Sequence, residues 1–452
     1  MLINLNKNSL DIEIDLPLSK SESNRALMIA FYSNSDFNKL TLSNSDDTIL
    51  LKNLLEKINS FIRSCEQSRL SVDNCPLTLN CHNAGTVFRF LMTAVSFLQL
   101  KIDNSQLTVD GESPQPLSVL LTGSDRMKQR PIDSLVDALR SLGVTIEYKE
   151  KEGYPPILIK GNVLVTVSNF RSHIVEISAE QSSQFASSLL LAAPLLENGL
   201  ELHLTGNISS QPYIDMTIRM MCQCGIDVTR NERVIKVNSA KYNCDLIKIE
   251  PDWSAAAFWY ELVALSYNSK VLLKNLNIDS LQADSLAAKM FENFGVETIS
   301  VKEGVVIEKS TFNSQLSTFN SQLSTFNFKN CPDLFPAVIA TCAGLRLNST
   351  FTGLKNLSIK ESDRKKAMMN ELRKINISFK DVSDDELKMF CPEELPYYTE
   401  ENPIIFNNYD DHRIAMALSV LSMKIGAISM ENTDVVSKSY PDFFRSARCV
   451  RD

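Results

Sequence analysis

The chain has 452 residues, 44% of them hydrophobic and 22% charged, a length that predicts two domains or more and a composition ordinary for a globular protein. Its formal net charge of −8 argues against a general nucleic-acid binder, which carries a basic excess, yet leaves room for a locally basic cleft that takes small anions. Ten scattered cysteines without framework spacing, with only four histidines, speak against a zinc centre and read as reduced, mostly buried thiols of a cytoplasmic protein.

The opening MLINLNKNSLDIEIDLPL lacks the apolar core and cleavage site of a secretory signal. In chain order, strand patterns fall at 10–16, 106–109, 163–167, 199–204, 271–273 and 304–307. Helical patterns fall at 132–142, 254–266 and 280–294. The apolar stretches near 90–100 and 185–196 are too short to span a membrane and predict buried helices. Alternating strands and helices make the chain α/β or α+β. Neither GxGxxG nor GxxxxGK[ST] occurs, so dinucleotide and P-loop nucleotide binding lose their usual support.

One segment is repetitive. STFNSQL at 310–316 recurs at 317–323, and a partial copy, STFNFK, follows at 324–329. Phe312, Leu316, Phe319, Leu323 and Phe326 are spaced like a heptad, but two heptads rich in Ser, Thr and Asn are too weak for a coiled coil. The expectation is a duplicated surface insertion over 310–329 with no chemistry of its own.

Several helices open on a dense polar motif and continue as an apolar run. Ser19 to Arg25 (SKSESNR) leads into ALMIAFY, Asn83 to Thr86 (NAGT) into VFRFLMTAVSFL, Gln181 to Gln184 (QSSQ) into FASSLLLAAPLL, and Asp410 to Arg413 (DDHR) into IAMALSVLSM. First helical turns carry unpaired N–H groups and the positive end of the dipole, so they suit anions, above all beside Ser, Thr, Lys and Arg. Simple N-capping explains any one motif as well. Their recurrence with basic residues points to a shared anion site. Further basic motifs are RMKQRPI at 126–132, where Pro131 suits a first helical turn, KESDRKK at 360–366 and VSKSYPDFF at 436–444. Lys365 and Lys366 fit a solvated face.

These motifs in this order resemble the 5-enolpyruvylshikimate-3-phosphate synthase family from Leu16 to Phe444. SKSESNRAL, NAGT followed by Arg89, RMKQRPI, SSQF, PYID, CPDLFP, IKESDR, DDHR and SKSYPDFF carry the likeness. The resemblance implies the two-domain enolpyruvyl transferase fold. Each domain has three βαβαββ units around buried parallel helices, an inside-out α/β barrel. One domain would hold 1–19 and 248–452, the other 20–247, with helix N-termini facing the cleft between them.

The resemblance also implies a reaction. The 5-hydroxyl of shikimate 3-phosphate adds to C2 of phosphoenolpyruvate, and the tetrahedral intermediate then loses phosphate. No metal or other cofactor is involved, and the protein would be a cytoplasmic monomer acting on small molecules, not on nucleic acid or membrane. Carried over residue by residue, Asp333 would take the 5-hydroxyl proton and Glu361 would handle the C3 proton, helped by Lys20. Lys20, Gly85, Arg130, Gln184, Arg364, Arg413 and Lys438 would hold phosphoenolpyruvate. Lys20, Ser21, Arg25, Ser182, Ser183, Gln184, Ser210, Tyr213, Asp333, Asn356 and Lys360 would hold shikimate 3-phosphate. The alternative for Asp333 is a cap on a helix beginning at Leu334, and for Glu361 a first-turn acid.

The chain departs from the family pattern at Leu18, where glycine is usual, at Val87, Phe88 and Phe90 around Arg89, and at Gln211, where a basic residue is common. The related UDP-N-acetylglucosamine enolpyruvyl transferases typically carry a Lys-Asn pair and a reactive loop cysteine. Here Lys20 precedes SESNR, and RMKQRPI has no cysteine.

Overall fold

In SLDIEID, Leu10, Ile12 and Ile14 point inward while the residues between them face solvent, the period-two pattern of a half-buried strand. The same logic recurs through the computed structural model. It describes residues 1–5, 9–67, 76–99, 118–160, 174–180, 182–208, 210–243, 247–309 and 324–448. The strands expected at 106–109 and 163–167, and residues 310–323 of the repeat, lie outside the described residues.

The chain forms two compact units, one of 1–19, 43–46 and 250–452, the other of 20–42 and 47–249. Strands β1 (Leu2–Ile3) and β2 (Ser9–Asp15) begin the first unit. Helices α1 (Lys20–Tyr32) and α2 (Asp46–Gln67) follow. The second unit continues through β3 (Leu77–Asn80), α3 (Gly85–Gln99), β4 (Ser118–Thr122), α4 (Asp133–Ser141), β5 (Thr145–Tyr148) and β6 (Ile157–Lys160). Then come β7 (Ile174–Ser178), α5 (Ser183–Ala192), β8 (Leu200–Thr205), α6 (Gln211–Gln223), β9 (Val228–Asn231) and β10 (Val234–Val237). The chain re-enters the first unit with α7 (Trp253–Leu265), β11 (Asn268–Lys274), α8 (Ala287–Glu292), β12 (Val296–Val301) and β13 (Gly304–Lys309). It continues with β14 (Ser324–Asn327), α9 (Phe335–Gly344), β15 (Ser349–Thr352), α10 (Arg364–Arg373), β16 (Ser378–Ser383) and β17 (Glu386–Phe390). The last elements used below are β18 (Ile404–Phe406), α11 (His412–Val420) and β19 (Ile428–Met430).

One βαβαββ plan recurs. Two parallel strands flank a helix, and a second helix leads to an antiparallel hairpin whose later strand joins the sheet centre. This gives sheet orders β3-β4-β6-β5, β7-β8-β10-β9 and β14-β15-β17-β16, and β2-β11-β13-β12, to which β2 comes from far upstream. A three-stranded sheet, β1-β19-β18, completes the first unit. Among the described residues the second unit shows two such sheets together with α1 and α2.

The helices, not the sheets, form the centre of each unit. Every residue of α9 and α11 is buried, as is nearly every residue of α7, and the three pack on one another. In the second unit α3, α5, α1 and α6 do the same. Helices apolar all round need burial on every side, so the sheets with one solvated face lie outside them.

Three local expectations are corrected. The pattern at 280–294 gives a short 3-10 turn over Ala283–Leu286 and then α8, not one helix. Helix α4 starts at Asp133 with Ile132 as its N-cap, so Pro131 stands before the helix rather than in its first turn. The third copy of the repeat is not surface insertion: Ser324–Asn327 is strand β14, paired parallel with β15. Phe326 is 4% exposed and stacks on Phe294 and Phe351.

Candidate active site

In the first unit the turn before α9 carries Asp333. Arg364 Nη1 donates to Asp333 Oδ1 at 2.6 Å, and Lys360 Nζ lies 3.3 Å from the same oxygen. Arg413 Nη2 donates to Oδ2 at 3.0 Å. The simple helix-cap reading of Asp333 is therefore replaced: α9 starts at Phe335, and the carboxylate serves basic side chains brought from α10 and α11. Burial pushes Asp333 up, but Arg413, Lys360 and Arg364 outweigh it and hold the carboxyl well below the usual carboxylate range.

Glu361 sits in the turn before α10, ahead of the N-cap Asp363. Its Oε2 accepts from Arg364 Nη2 at 2.8 Å, and its Oε1 lies 3.8 Å from Lys438 Nζ. Burial lowers the Lys360 ammonium despite Asp333 beside it. Arg364 is drawn the other way. Burial disfavours its charge, but Asp411, Glu361 and Asp333 overcome that and keep it firmly protonated. Asn356 is half-buried in the 3-10 turn Lys355–Ile359. The first unit thus brings together Asp333, Lys360, Glu361, Arg364, Arg413 and Lys438.

The sequence reading missed the residue that orders this group. Asp411 caps α11, accepting from Arg413 N at 3.0 Å, and also accepts from Arg364 Nε at 2.8 Å and from Ser362 Oγ at 3.0 Å. Its signal was present in the DDHR motif, where its capping role was legible and its long-range role was not. Lys365 is a correction: it is buried rather than on a solvated face, with Nζ donating to Asp381 Oδ1 and Ser383 O, each at 2.5 Å. Lys366 is solvated as expected.

In the second unit the polar motifs fall at helix starts. Lys20 opens α1 and pairs with Asp47 at 3.2 Å. Ser182 caps α5, accepting from Gln184 N at 3.2 Å, with Ser183 buried in the first turn. Gln184 Oε1 accepts from Arg89 Nη1 at 2.6 Å, and its Nε2 donates to Thr86 Oγ1 at 2.6 Å. Arg89, quoted in the motif but given no role, thereby fixes the Gln184 amide and packs over the Phe185 ring. Gly85 begins α3, where a Cβ would come within 2.5 Å of Arg130 Nη1; only glycine lets this guanidinium lie against the helix start.

Arg25 is held from several sides. Its Nε donates to Thr217 Oγ1 at 2.7 Å, Nη1 to Ser21 O at 2.8 Å, and Nη2 to Tyr213 O at 3.2 Å and Ser187 Oγ at 3.4 Å. Burial lowers it to about 10. Ser210 holds the left-handed N-cap position of α6, with φ of 55°.

The departures from the family pattern have local reasons. Leu18 pairs in extended conformation with Pro251, so no glycine is required there. Val87, Phe88 and Phe90 are fully buried, with Phe90 beneath the Arg25 guanidinium. Gln211 is exposed at the start of α6.

Fold and site together define an inside-out α/β enzyme, with carboxylates held among cations that suit phosphate and carboxylate ligands. The family model for EPSP synthase (3-phosphoshikimate 1-carboxyvinyltransferase) matches residues 6–446. The 3-phosphoshikimate 1-carboxyvinyltransferase of Bacteroides fragilis (strain ATCC 25285) is 35% identical over 436 residues, 96% of this chain and 94% of that protein. The protein so named from Vibrio vulnificus (strain YJ016) is 30% identical over 444 residues, 96% of this chain and 94% of that one. A solved EPSP synthase from Acinetobacter baumannii shares the fold with a TM-score of 0.67 at 19% identity, covering 99% of this chain and 98% of that one. The chain belongs to the EPSP synthase family.

Proposed function

We propose that the side chains gathered in the two units carry the reaction of this family. The enolpyruvyl group of phosphoenolpyruvate is transferred to the 5-hydroxyl of shikimate 3-phosphate and phosphate is released, on the route to chorismate and the aromatic amino acids. The observation that carries the reading is Asp333, a carboxylate kept ionised by Arg364, Arg413 and Lys360. An ionised carboxylate among cations is placed to accept a proton, while the cations are placed to take anionic substrates.

In the addition step the 5-hydroxyl O–H breaks, its proton passes to Asp333, and the oxygen bonds to C2 of phosphoenolpyruvate. C3 gains a proton from Glu361 with help from Lys20. In the elimination step the C2–O bond to phosphate breaks, C3 returns its proton to Glu361, and the proton held by Asp333 passes to the departing phosphate. When substrate anions arrive they compete with Asp333 and Glu361 for Arg364, Arg413, Lys360 and Lys438. Asp333 loses cationic neighbours and becomes a stronger base as the acceptor binds.

Gly85, Arg130, Gln184, Arg364, Arg413 and Lys438 hold phosphoenolpyruvate in this scheme. Ser21, Ser182, Ser183, Ser210, Tyr213, Asn356 and Lys360 hold shikimate 3-phosphate, and Lys20 and Gln184 touch both. Arg25 shares in that acceptor site, and its bonds to Thr217, Ser187 and Tyr213 also brace α1 against α5 and α6. The scheme requires no cofactor, and the same reading takes the enzyme as a cytoplasmic monomer. No helix among the described residues is long and apolar enough to cross a membrane.

The test is phosphate release from phosphoenolpyruvate with shikimate 3-phosphate, and separately with UDP-N-acetylglucosamine. Release with the shikimate substrate alone, with the enolpyruvyl product found by mass, supports the proposal. Release with the sugar nucleotide alone moves the acceptor assignment, and release with neither from folded protein overturns it.

A further inference from the structure

The loop that leads into α11 carries a buried side chain that the scheme above does not use. Asn408 is 4% exposed. Its Nδ2 donates to Glu431 O at 2.7 Å and to Asn432 O at 3.1 Å, and its Oδ1 accepts from Asp410 N at 3.0 Å. Its backbone O accepts from Asp411 N at 2.9 Å. One amide thereby joins two chain segments: the start of α11, with Asp411 and Arg413, and the residues that open the 3-10 turn Thr433–Lys438. Asn432 Nδ2 donates back across the same junction to Asp410 Oδ1.

The backbone at this junction is not relaxed. Tyr409 and Asp410 have φ of 54° and 52°, and Asn432 has φ of 47°, a left-handed region that residues other than glycine rarely take. Such backbone persists only where its surroundings over-determine it. The Asn408 amide holds it on one side. On the other, Glu371 of α10 accepts from Asn407 N at 2.9 Å through Oε2 and from Tyr409 Oη at 2.8 Å through Oε1. The two joined segments also carry the ends of one row of charges. Arg413, Asp333, Arg364, Glu361 and Lys438 alternate in sign, and successive partners lie 3.0, 2.6, 2.8 and 3.8 Å apart. Arg413 enters the row from α11, and Lys438 enters it from the end of the 3-10 turn.

We propose that Asn408 is a positioning residue for phosphoenolpyruvate, its amide setting the spacing between Arg413 and Lys438, the cations at the two ends of the row. The inference rests on the reading that these two cations hold that substrate. Asn408 itself exchanges nothing with substrate and moves no proton. An anion that engages two cations together gains from both only where their carriers are already fixed, because ordering them on binding weakens the affinity.

The experiment compares wild type, Asn408→Ala, Asn408→Asp, Lys438→Met and the Asn408→Ala, Lys438→Met double variant for kcat and both KM values, with thermal melts to establish folding. Asn408→Asp keeps an acceptor for Asp410 N and loses the donors to Glu431 and Asn432. In both single Asn408 variants the KM for phosphoenolpyruvate should rise roughly five- to tenfold, the weight of a lost hydrogen bond, while that for shikimate 3-phosphate stays within about twofold. With Lys438→Met in place, Asn408→Ala should add about twofold or less, because changes that act through one interaction do not add. An equal rise in both KM values overturns the inference, as does an unchanged KM for phosphoenolpyruvate in either folded Asn408 variant. The full rise repeated in the Lys438→Met background overturns it too. If neither Asn408 variant folds, Asn408 is a folding residue and the inference also falls. Wild-type protein inactive on the shikimate substrate overturns the function itself, whereas active wild type without the KM split in the variants overturns only the role of Asn408.

Discussion

Arg364 and Asp411 meet through two hydrogen bonds, Nε to Oδ2 at 2.8 Å and Nη2 to Oδ1 at 3.3 Å, both side chains buried to 1% exposure or less. Asp411 fixes the plane of the guanidinium, so its remaining edges point at Asp333 and Glu361. Asp411→Ala leaves a buried cation without its main partner. It should lower unfolding free energy by about 3–5 kcal/mol, read from the urea midpoint, with kcat reduced in whatever fraction folds. A midpoint equal to wild type would show that the fork is dispensable.

Asp333→Ala removes the proposed proton acceptor while leaving its three cations in place. Turnover should fall by about 10²- to 10⁴-fold, the usual contribution of a general base. Binding of shikimate 3-phosphate, measured by calorimetry, should persist, since the cations no longer have an internal competitor. Near-normal turnover would remove Asp333 from its role.

Gly85→Ala puts a methyl group where Arg130 now lies, with predicted approaches of 2.5 to 2.6 Å to the guanidinium. The arginine must swing away, and the fold should survive because the displaced atoms end a flexible side chain. The KM for phosphoenolpyruvate should rise about tenfold, the effect of losing about 1.4 kcal/mol. An unchanged KM would mean that Arg130 does not hold this substrate.

Glu261 lies in the middle of α7, fully buried, with neither carboxylate oxygen hydrogen-bonded among the described residues. Burial pushes it well above the ordinary glutamate range. A folded-state acid that holds its proton more tightly than the unfolded one has no adverse effect below the unfolded pKa of about 4.3. As pH climbs above that value the unfolded chain gains by ionising, and stability falls until the folded group ionises too. Glu261→Gln should flatten this fall, and Glu261→Met should raise the melting temperature at neutral pH; a melting profile against pH parallel to wild type would contradict both.

The repeat offers a paired test. Deleting 317–323 leaves the letters of β14 and Asp333 untouched, so activity should stay close to that of wild type. Phe326→Ala empties a site between Phe294 and Phe351 and should cost about 3–5 kcal/mol. A deletion more damaging than Phe326→Ala would refute this division of roles.

Several helices and a few strands were legible because their periodicity is local. Strand β2 and helices α4 and α7 fall within a residue or so of the expected spans. Asp333, Glu361 and the basic residues were legible as motifs in order. What was not legible depends on partners far along the chain. Lys365 read as solvated because Asp381 and Ser383 lie outside its motif. Asp411 read as a cap because Arg364 is 47 residues away. The third repeat copy looked like low-complexity surface because its composition says nothing of β15, the strand that covers it.

That third copy bears on how a chain of this kind changes length. The STFN of the third copy is strand β14, and it runs on into Phe328, Lys329 and the turn carrying Asp333. A tandem duplication of such a segment keeps one upstream junction, after Lys309, and one downstream junction, before Asp333, however many units stand between. The copy that forms this strand is the one next to the turn that carries Asp333. A gain or loss of whole seven-residue units upstream leaves the letters of β14, and of the turn after it, as they are.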